Sequence, residues 1–253
     1  MPTKQIGKVK VYYKGNWDEA LFSKCMGIVG SRRMTSYGQR VVEKIVPGLV
    51  FDDWTIVSGF MYGVDIAAHE ATLACGGKTI AVLGWGIDVK LEGKELVLEE
   101  KIIETGGLII SLWEDQLGTN WTFPARNKVV ANICHELIVV EAAIKSGALL
   151  TATMVRNLKK PVWAVPGPIT SSVSAGTNNL IATGQASPWT QPTKSSSDIK
   201  SPILSLLQNE PLDAGEIART LGVQIDKITA DLTMLSLEGF VKEKEGKFYA
   251  GEN

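Results

Sequence analysis

The chain predicts an α/β protein: a doubly wound, mostly parallel sheet of Rossmann-like plan, followed by a small winged-helix domain. Three observations lead there. Short continuous apolar runs recur along most of the 253 residues and alternate with amphipathic stretches. The runs lack polar alternation, as strands do when helices cover both faces of a parallel sheet. Segment 198–253 then changes pattern and charge sign, with 6 Lys and Arg against 10 Asp and Glu, where 1–197 carries 20 against 17.

In chain order the runs are KCMGIV (24–29), WTIVSG (54–59), KTIAVLG (78–84), LIISLW (108–113), ELIVVE (136–141) and PVWAVPG (161–167). Helical patterns fill the gaps. The helix after the first run is expected to begin at Ser36 as N-cap, with Gln39 completing a capping box. Its Val41, Val42, Ile45, Val46 and Leu49 share one face. ASPWTQPTKSSSD (186–198) is rich in Pro, Ser and Thr and reads as a linker. The expected domains are therefore 1–187 and 199–253, joined by 188–198. In the second, ILSLLQ, AGEIARTLGV and IDKITADLTMLSLEGFV give three helices with Gly222 at a turn, and KEKEGKFYA gives a wing.

Composition narrows the function classes. With 45% hydrophobic residues, the chain can bury one large core and a small second one. No run reaches the roughly 18 apolar residues of a membrane span, and MPTKQIGKVK lacks the apolar centre of a signal peptide, so a cytoplasmic protein is expected. Cys25, Cys75 and Cys134 are too dispersed for a disulfide framework or zinc cluster. A net charge of −1 means that a nucleic-acid reading needs local positive charge, and residues 119–160 supply it with six Lys and Arg against two Glu.

Ligands of doubly wound sheets sit beyond the carboxyl ends of the strands. In the loop GIVGSRR, the backbone of Gly30 and Ser31 can face a phosphate while Arg32 and Arg33 add charge, or the stretch is a tight turn with solvated arginines. SGFMYGVDIAAHE holds a second such turn at Ser58 and Gly59, with Gly63 ahead of a helix. Trp85, in LGWGID, either caps the core or offers a stacking platform. NWTFPARNK places Trp121 and Phe123 beside Arg126 and Lys128, the mixture of rings and cations used by a single-strand groove. Lys145 and Ser146 precede Gly147 and a helix whose amino end favours anions.

Taken together, GIVGSRRMTSYG, IVSGFMYGVDIAAHEATLACGGKTIAVLGWGID, FPARNKVVA, VVEAAIKSGALLTA and AVPGPITSSVSAGTNNLIATGQA resemble, in order and spacing, the DNA processing protein A (DprA/Smf) family over residues 22–187. The resemblance implies that the glycine turn holds the backbone of single-stranded DNA. Gly30, Ser31 and Arg32 match the family's glycine–serine–arginine turn, and Arg126, Asn127 and Lys128 its FPxRNR segment. Tyr62 stands where the family usually has arginine, Ala148 where serine is common, and DVKLEGKEL replaces the family's tyrosine–proline segment. The implied DNA-contacting set is Gly30, Ser31, Arg32, Ser58, Gly59, Tyr62, Gly63, Phe123, Arg126, Asn127, Lys128, Lys145, Ser146 and Gly147. The implied role is protecting single strands and loading RecA recombinase onto them, as a homodimer formed through the last part of the first domain, where TNNLIATG offers Leu180 and Ile181, residues that ordinary core packing explains equally well.

The winged helix resembles the family's carboxyl-terminal domain. Its recognition helix, 224–238, carries Asp226, Asp231 and Glu238 against Lys227, which points to protein contact rather than duplex binding. No catalytic residue, metal or cofactor is expected. His69 and His135 have no partner at triad or metal spacing and read as helix-surface or core-edge residues; Asp65 reads as a structural cap. The alternative is a Rossmann-like nucleotide-binding or nucleotide-processing enzyme, but AGTNNLI lacks the double glycine and glutamate of the nucleotide hydrolases' PGGxGTxxE.

Overall fold

The computed structural model describes residues 1–190, 203–204, 206–207, 210–237, 239–244 and 246–251. They fall into two compact units, Met1–Trp189 and Thr190–Asn253.

The first unit holds a nine-stranded sheet. Six strands match the apolar runs: β3 (Cys25–Val29), β4 (Thr55–Ser58), β5 (Thr79–Val82), β6 (Leu108–Ser111), β7 (Glu136–Val139) and β8 (Val162–Ala164). All pair in parallel. Successive residues serve opposite faces. Met26 and Ile28 of β3 pack under α1 (Ser36–Phe51) and α2 (Val64–Ala74), and Ala81 and Ile109 under α3 (Gly93–Glu104). Cys25, Val57, Ile80 and Leu137 face α4 (Thr122–Ile133), α5 (Gly147–Asn157) and α6 (Ala175–Ala182) on the other side. Fully burying an Ile such as Ile80 contributes about 1.5–3 kcal/mol, so the strand centres are apolar, and the buried polar residues Ser58 and Thr79 at strand ends spend their hydroxyls on the carbonyls of Ile28 and Ile56.

Three further strands went unnoticed in the sequence. β1 (Thr3–Ile6) and β2 (Val9–Lys14) form an antiparallel hairpin that adds to β6, and β9 (Ser187–Pro188) adds to β8. TKQI is mostly exposed and VKVYYK is half-buried, with only Val11 in the core, and both carry lysines, so they lack the continuous apolar signal of the central strands. The expected linker 188–198 falls outside the described residues except at its start. There Pro188 belongs to β9, and Trp189 packs edge-on against Trp163 with ring centres 5.5 Å apart.

The strand order is β1-β2-β6-β5-β4-β3-β7-β8-β9. From β3 the chain winds outward to β6, then crosses through α4 to β7 on the other side of β3. The winding direction therefore reverses between β3 and β7, where adjacent loops diverge and leave a crevice. One helix start differs from expectation: the N-cap of α1 is Thr35, not Ser36. Thr35 Oγ1 accepts from the N–H groups of Tyr37 (3.2 Å) and Gly38 (3.3 Å). It also donates to Oε1 of the buried Glu141 at 2.5 Å, a partner that Ser36 does not have.

In the second unit, α7 (Ala214–Leu221) opens with a capping box between Asp213 and Glu216 and ends at Gly222, whose φ of 64° suits glycine. It packs on α8 (Ile225–Leu237) through Ile217, Ile228, Leu232 and Leu235, and Val241 of the β10 (Val241–Lys244)/β11 (Lys247–Ala250) hairpin closes that core. Of the expected first helix, residues 203–204 and 206–207 are described and helical.

Candidate functional site

A cleft of about 660 Å³ opens at the switch point. Gly30 and Arg32 reach it from the loop after β3, Gly59 and Met61 from the loop after β4, Phe123, Arg126 and Asn127 from α4, and Lys145, Ser146 and Gly147 from the start of α5.

The β3 turn is pinned from beneath. A side chain at Gly30 would press into Val64 at the start of α2, and Ser31 O accepts the Val64 N–H at 3.2 Å. Ser31 Oγ accepts the Arg33 N–H at 3.0 Å, which bends the backbone and sends Arg32 outward. The exposed Arg32 guanidinium then lies 4.8 Å over the ring of Phe123. Such a cation–π contact contributes about 0.5–1 kcal/mol at an exposed site and leaves the guanidinium N–H edge free for an anion. The ring itself rests against Gly84.

The floor is a buried ionic layer. Arg126, expected to follow a DNA backbone as a groove cation, is only 5% exposed. Its Nη1–H donates to Val82 O (2.7 Å), its Nε–H to Asn127 Oδ1 (3.1 Å), and Nη2 lies 3.9 Å from Asp65 Oδ2. Burial pushes the Asp65 carboxyl up from its ordinary value, and the Arg126 charge opposes that shift. Gly59 is needed here, because any Cβ would collide with both the guanidinium and the Asp65 carboxylate. His69, expected at a surface or core edge, is fully buried: its Nε2–H donates to Gly59 O at 2.6 Å and Nδ1 faces Thr79 Oγ1 at 2.7 Å. Burial pushes its pKa down to about 4, so the ring is a neutral strut beneath the Gly59 turn.

The remaining expected residues divide. Ser146 caps α5, its Oγ accepting the Ala148 N–H at 3.2 Å, while Lys145 stands exposed beside it. Ser58 is fully buried and donates to Ile28 O, so it supports the sheet rather than facing the cleft. Tyr62 is 65% exposed and lies outside the cleft lining; a hydrogen bond to Glu95 raises its phenol pKa. Gly63, the N-cap of α2, stands behind the lining. Lys128 is exposed but turned about 200° around α4 from Arg126, away from the cleft wall. Sequence reasoning missed Met61 and Leu150 in the lining and gave Asp65 no ionic partner. It also missed Glu141, two residues beyond β7, which holds the N-terminus of α1; a carboxylate directly after the apolar stretch LIVV was the available signal.

Among the ionisable side chains of the lining, Arg32, Arg126 and Lys145 face the single carboxylate of Asp65, a surplus of positive charge in a crevice. Among the described residues, no helix is long and apolar enough to cross a membrane.

Comparisons with known proteins agree with this architecture. The DNA recombination-mediator protein A family matches residues 6–200, and the DprA winged helix domain matches 187–247. The chain is 38% identical to DNA processing protein DprA of Streptococcus pneumoniae over 176 residues, 70% of this chain and 62% of that protein. It is 36% identical to protein Smf of Escherichia coli over 166 residues, 65% of this chain and 44% of the other. The matches thus span less than two thirds of these relatives. The crystal structure of the S. pneumoniae protein superposes with a TM-score of 0.65 over 71% of this chain and 62% of that one. A Helicobacter pylori DNA processing protein A, described for its single-stranded DNA binding mode, superposes with a TM-score of 0.66 at 28% identity, over 83% and 96% of the two chains. With two ordered domain matches, a shared fold and relatives above 30% identity, this chain belongs to the DNA recombination-mediator protein A family, the DprA/Smf proteins.

Proposed function

We propose that the switch-point cleft binds the phosphate backbone of single-stranded DNA, and that the protein is a non-enzymatic carrier that shields strands and passes them to RecA recombinase in the cytoplasm. One observation carries the reading: an exposed guanidinium, held in place by an aromatic ring, stands over a positively charged crevice between diverging loops. Such a crevice suits a polyanion, and phosphate contacts position a strand without reading its sequence. The two titratable groups nearest the floor are already engaged, Asp65 with Arg126 and neutral His69 with Gly59 and Thr79, which favours binding over acid–base chemistry.

Fluorescence anisotropy with a single-stranded oligonucleotide and its duplex at matched salt tests the proposal. Tighter binding of the single strand, weakening as salt rises, is expected; equal affinity for the duplex would overturn it. Release of free base from nucleotides incubated with the protein would instead establish the enzymatic alternative. Sedimentation with RecA, with and without the strand, tests the hand-over.

The proposal includes a homodimer formed through TNNLIATG, of which a monomer in sedimentation with and without DNA would be the refutation. Within that segment Leu180 is buried in the core and Ile181 packs against it while remaining partly exposed.

A further inference from the structure

Phe123 offers little free surface for stacking a base. One face of its ring is covered by Arg32 and the ring rests on Gly84, so it is a support for the guanidinium. Two residues earlier, Trp121 is 56% exposed. It forms an edge-to-face pair with Trp113, with ring centres 5.4 Å apart at 88°, which fixes the indole while more than half of it stays exposed. Trp113 is clamped in turn: its N–H donates to Ser111 Oγ at 3.1 Å and its carbonyl accepts the Ile87 N–H at 2.9 Å. Leu117, 70% exposed, extends the apolar surface within the same loop.

We propose that Trp121, braced by Trp113, is a base-stacking platform at the mouth of the switch-point cleft for nucleotides of a strand whose phosphates the cleft holds. Continuity supports the occupant: Asn120, adjacent to Trp121, lines the cleft, and the platform lies in the loop that joins β6 to α4. The platform is the N-cap of α4, two residues from Phe123, whose ring carries Arg32 of the phosphate turn. Charge supports a base in particular. Glu114 beside Trp113 is paired with the amino-terminal ammonium group at 3.3 Å, and the exposed Asp115 next to it repels a phosphate, so the uncharged base meets the indole while the backbone stays on the basic side.

The inference rests on the single-strand reading, and the test separates the two. Wild type, Trp121→Ala, Trp121→Phe and Arg32→Ala are titrated with an oligothymidine 15-mer and with an abasic 15-mer of equal charge. Trp121→Ala is expected to bind the thymidine strand about tenfold more weakly and the abasic strand like wild type; Trp121→Phe keeps most of the affinity; Arg32→Ala loses affinity for both. Thymidine-dependent quenching of tryptophan fluorescence should shrink in Trp121→Phe although binding persists. Unchanged thymidine affinity in Trp121→Ala, or an equal loss on both strands, overturns the platform while leaving the cleft reading intact. A change in sedimentation of the DNA-free Trp121→Ala variant would assign the surface to a second copy and also overturn it. Failure of wild type to prefer single strands to duplex sinks the cleft reading itself, and the platform with it.

Discussion

Arg32 and Arg126 both bring a guanidinium to the cleft, and their difference in burial makes their substitutions opposite experiments. Arg32→Ala removes an exposed, charge-assisted contact and should weaken single-strand binding about ten- to a hundredfold without unfolding the protein. Its salt dependence should fall by about one counterion. Arg33, which lies outside the cleft lining, serves as control, and its alanine variant should cost much less. Anisotropy over a salt series reads both; wild-type binding by Arg32→Ala would make the turn purely structural. Arg126→Ala instead strands the Asp65 carboxylate, and losing one member of a buried pair costs about 3–5 kcal/mol. A thermal melt should show that loss, even though FPARNK read as a string of residue types makes Arg126 and Lys128 look like equivalent groove cations. Their orientation depends on α4 beginning at Thr122, which types alone do not disclose. His69 gives the pH prediction. Its folded pKa, about 4, lies below its ordinary 6.5, so the unfolded chain binds the proton more tightly between those values. Its contribution is complete above pH 6.5 and is lost as the pH falls toward 4. Asp65, shifted upward, contributes with the opposite sign. The difference between wild type and His69→Gln melts isolates the imidazole: the wild-type melting temperature should fall more steeply over that interval, and identical slopes would show that the ring titrates normally in the fold.

Among the elements, the central strands were legible because they are buried on both faces, and burial on both faces leaves one chemical signature. The flanking hairpin was not, because β1 and β2 carry the lysines and threonine that a partly solvated strand tolerates. Helix starts were legible only in part. TSYGQ offers two hydroxyls in succession, and the choice of Thr35 over Ser36 was made by Glu141, more than a hundred residues away. That long-range tie makes α1 a testable unit. Thr35→Val removes both the cap and a hydroxyl that the Glu141 carboxylate accepts, and a lost cap alone costs about 1 kcal/mol. The loss in Thr35→Val should therefore exceed that figure, and in the double variant with Glu141→Gln the two effects should be less than additive. Additive effects in urea unfolding would show that the two groups act independently.

For the whole molecule, the two units divide the electrostatic labour. The positive crevice lies in the first, while α8 of the second carries Asp226 and Asp231 against Lys227. Deleting residues 190–253 should leave single-strand affinity nearly unchanged; a large loss by anisotropy would show that the winged helix takes part in binding. The fold class and the order of the loops around the site were legible because each loop follows a recognisable strand. Which side chains enter the cleft was not, because that depends on how neighbouring loops pin one another. The flanks of the sheet carry one more consequence. β6 is LIIS, four buried residues whose outer backbone groups are taken up by β2, and the strand beyond, β1, is short and bears Lys4. At the opposite flank β9 holds only Ser187 and Pro188, and a proline has no N–H to offer a newcomer. The molecule thus carries its own protection against edge-to-edge aggregation. Removing residues 1–14 would uncover an aliphatic strand able to recruit its like, and the truncated chain should shift into the void volume of a sizing column at concentrations where the intact protein elutes as a discrete species.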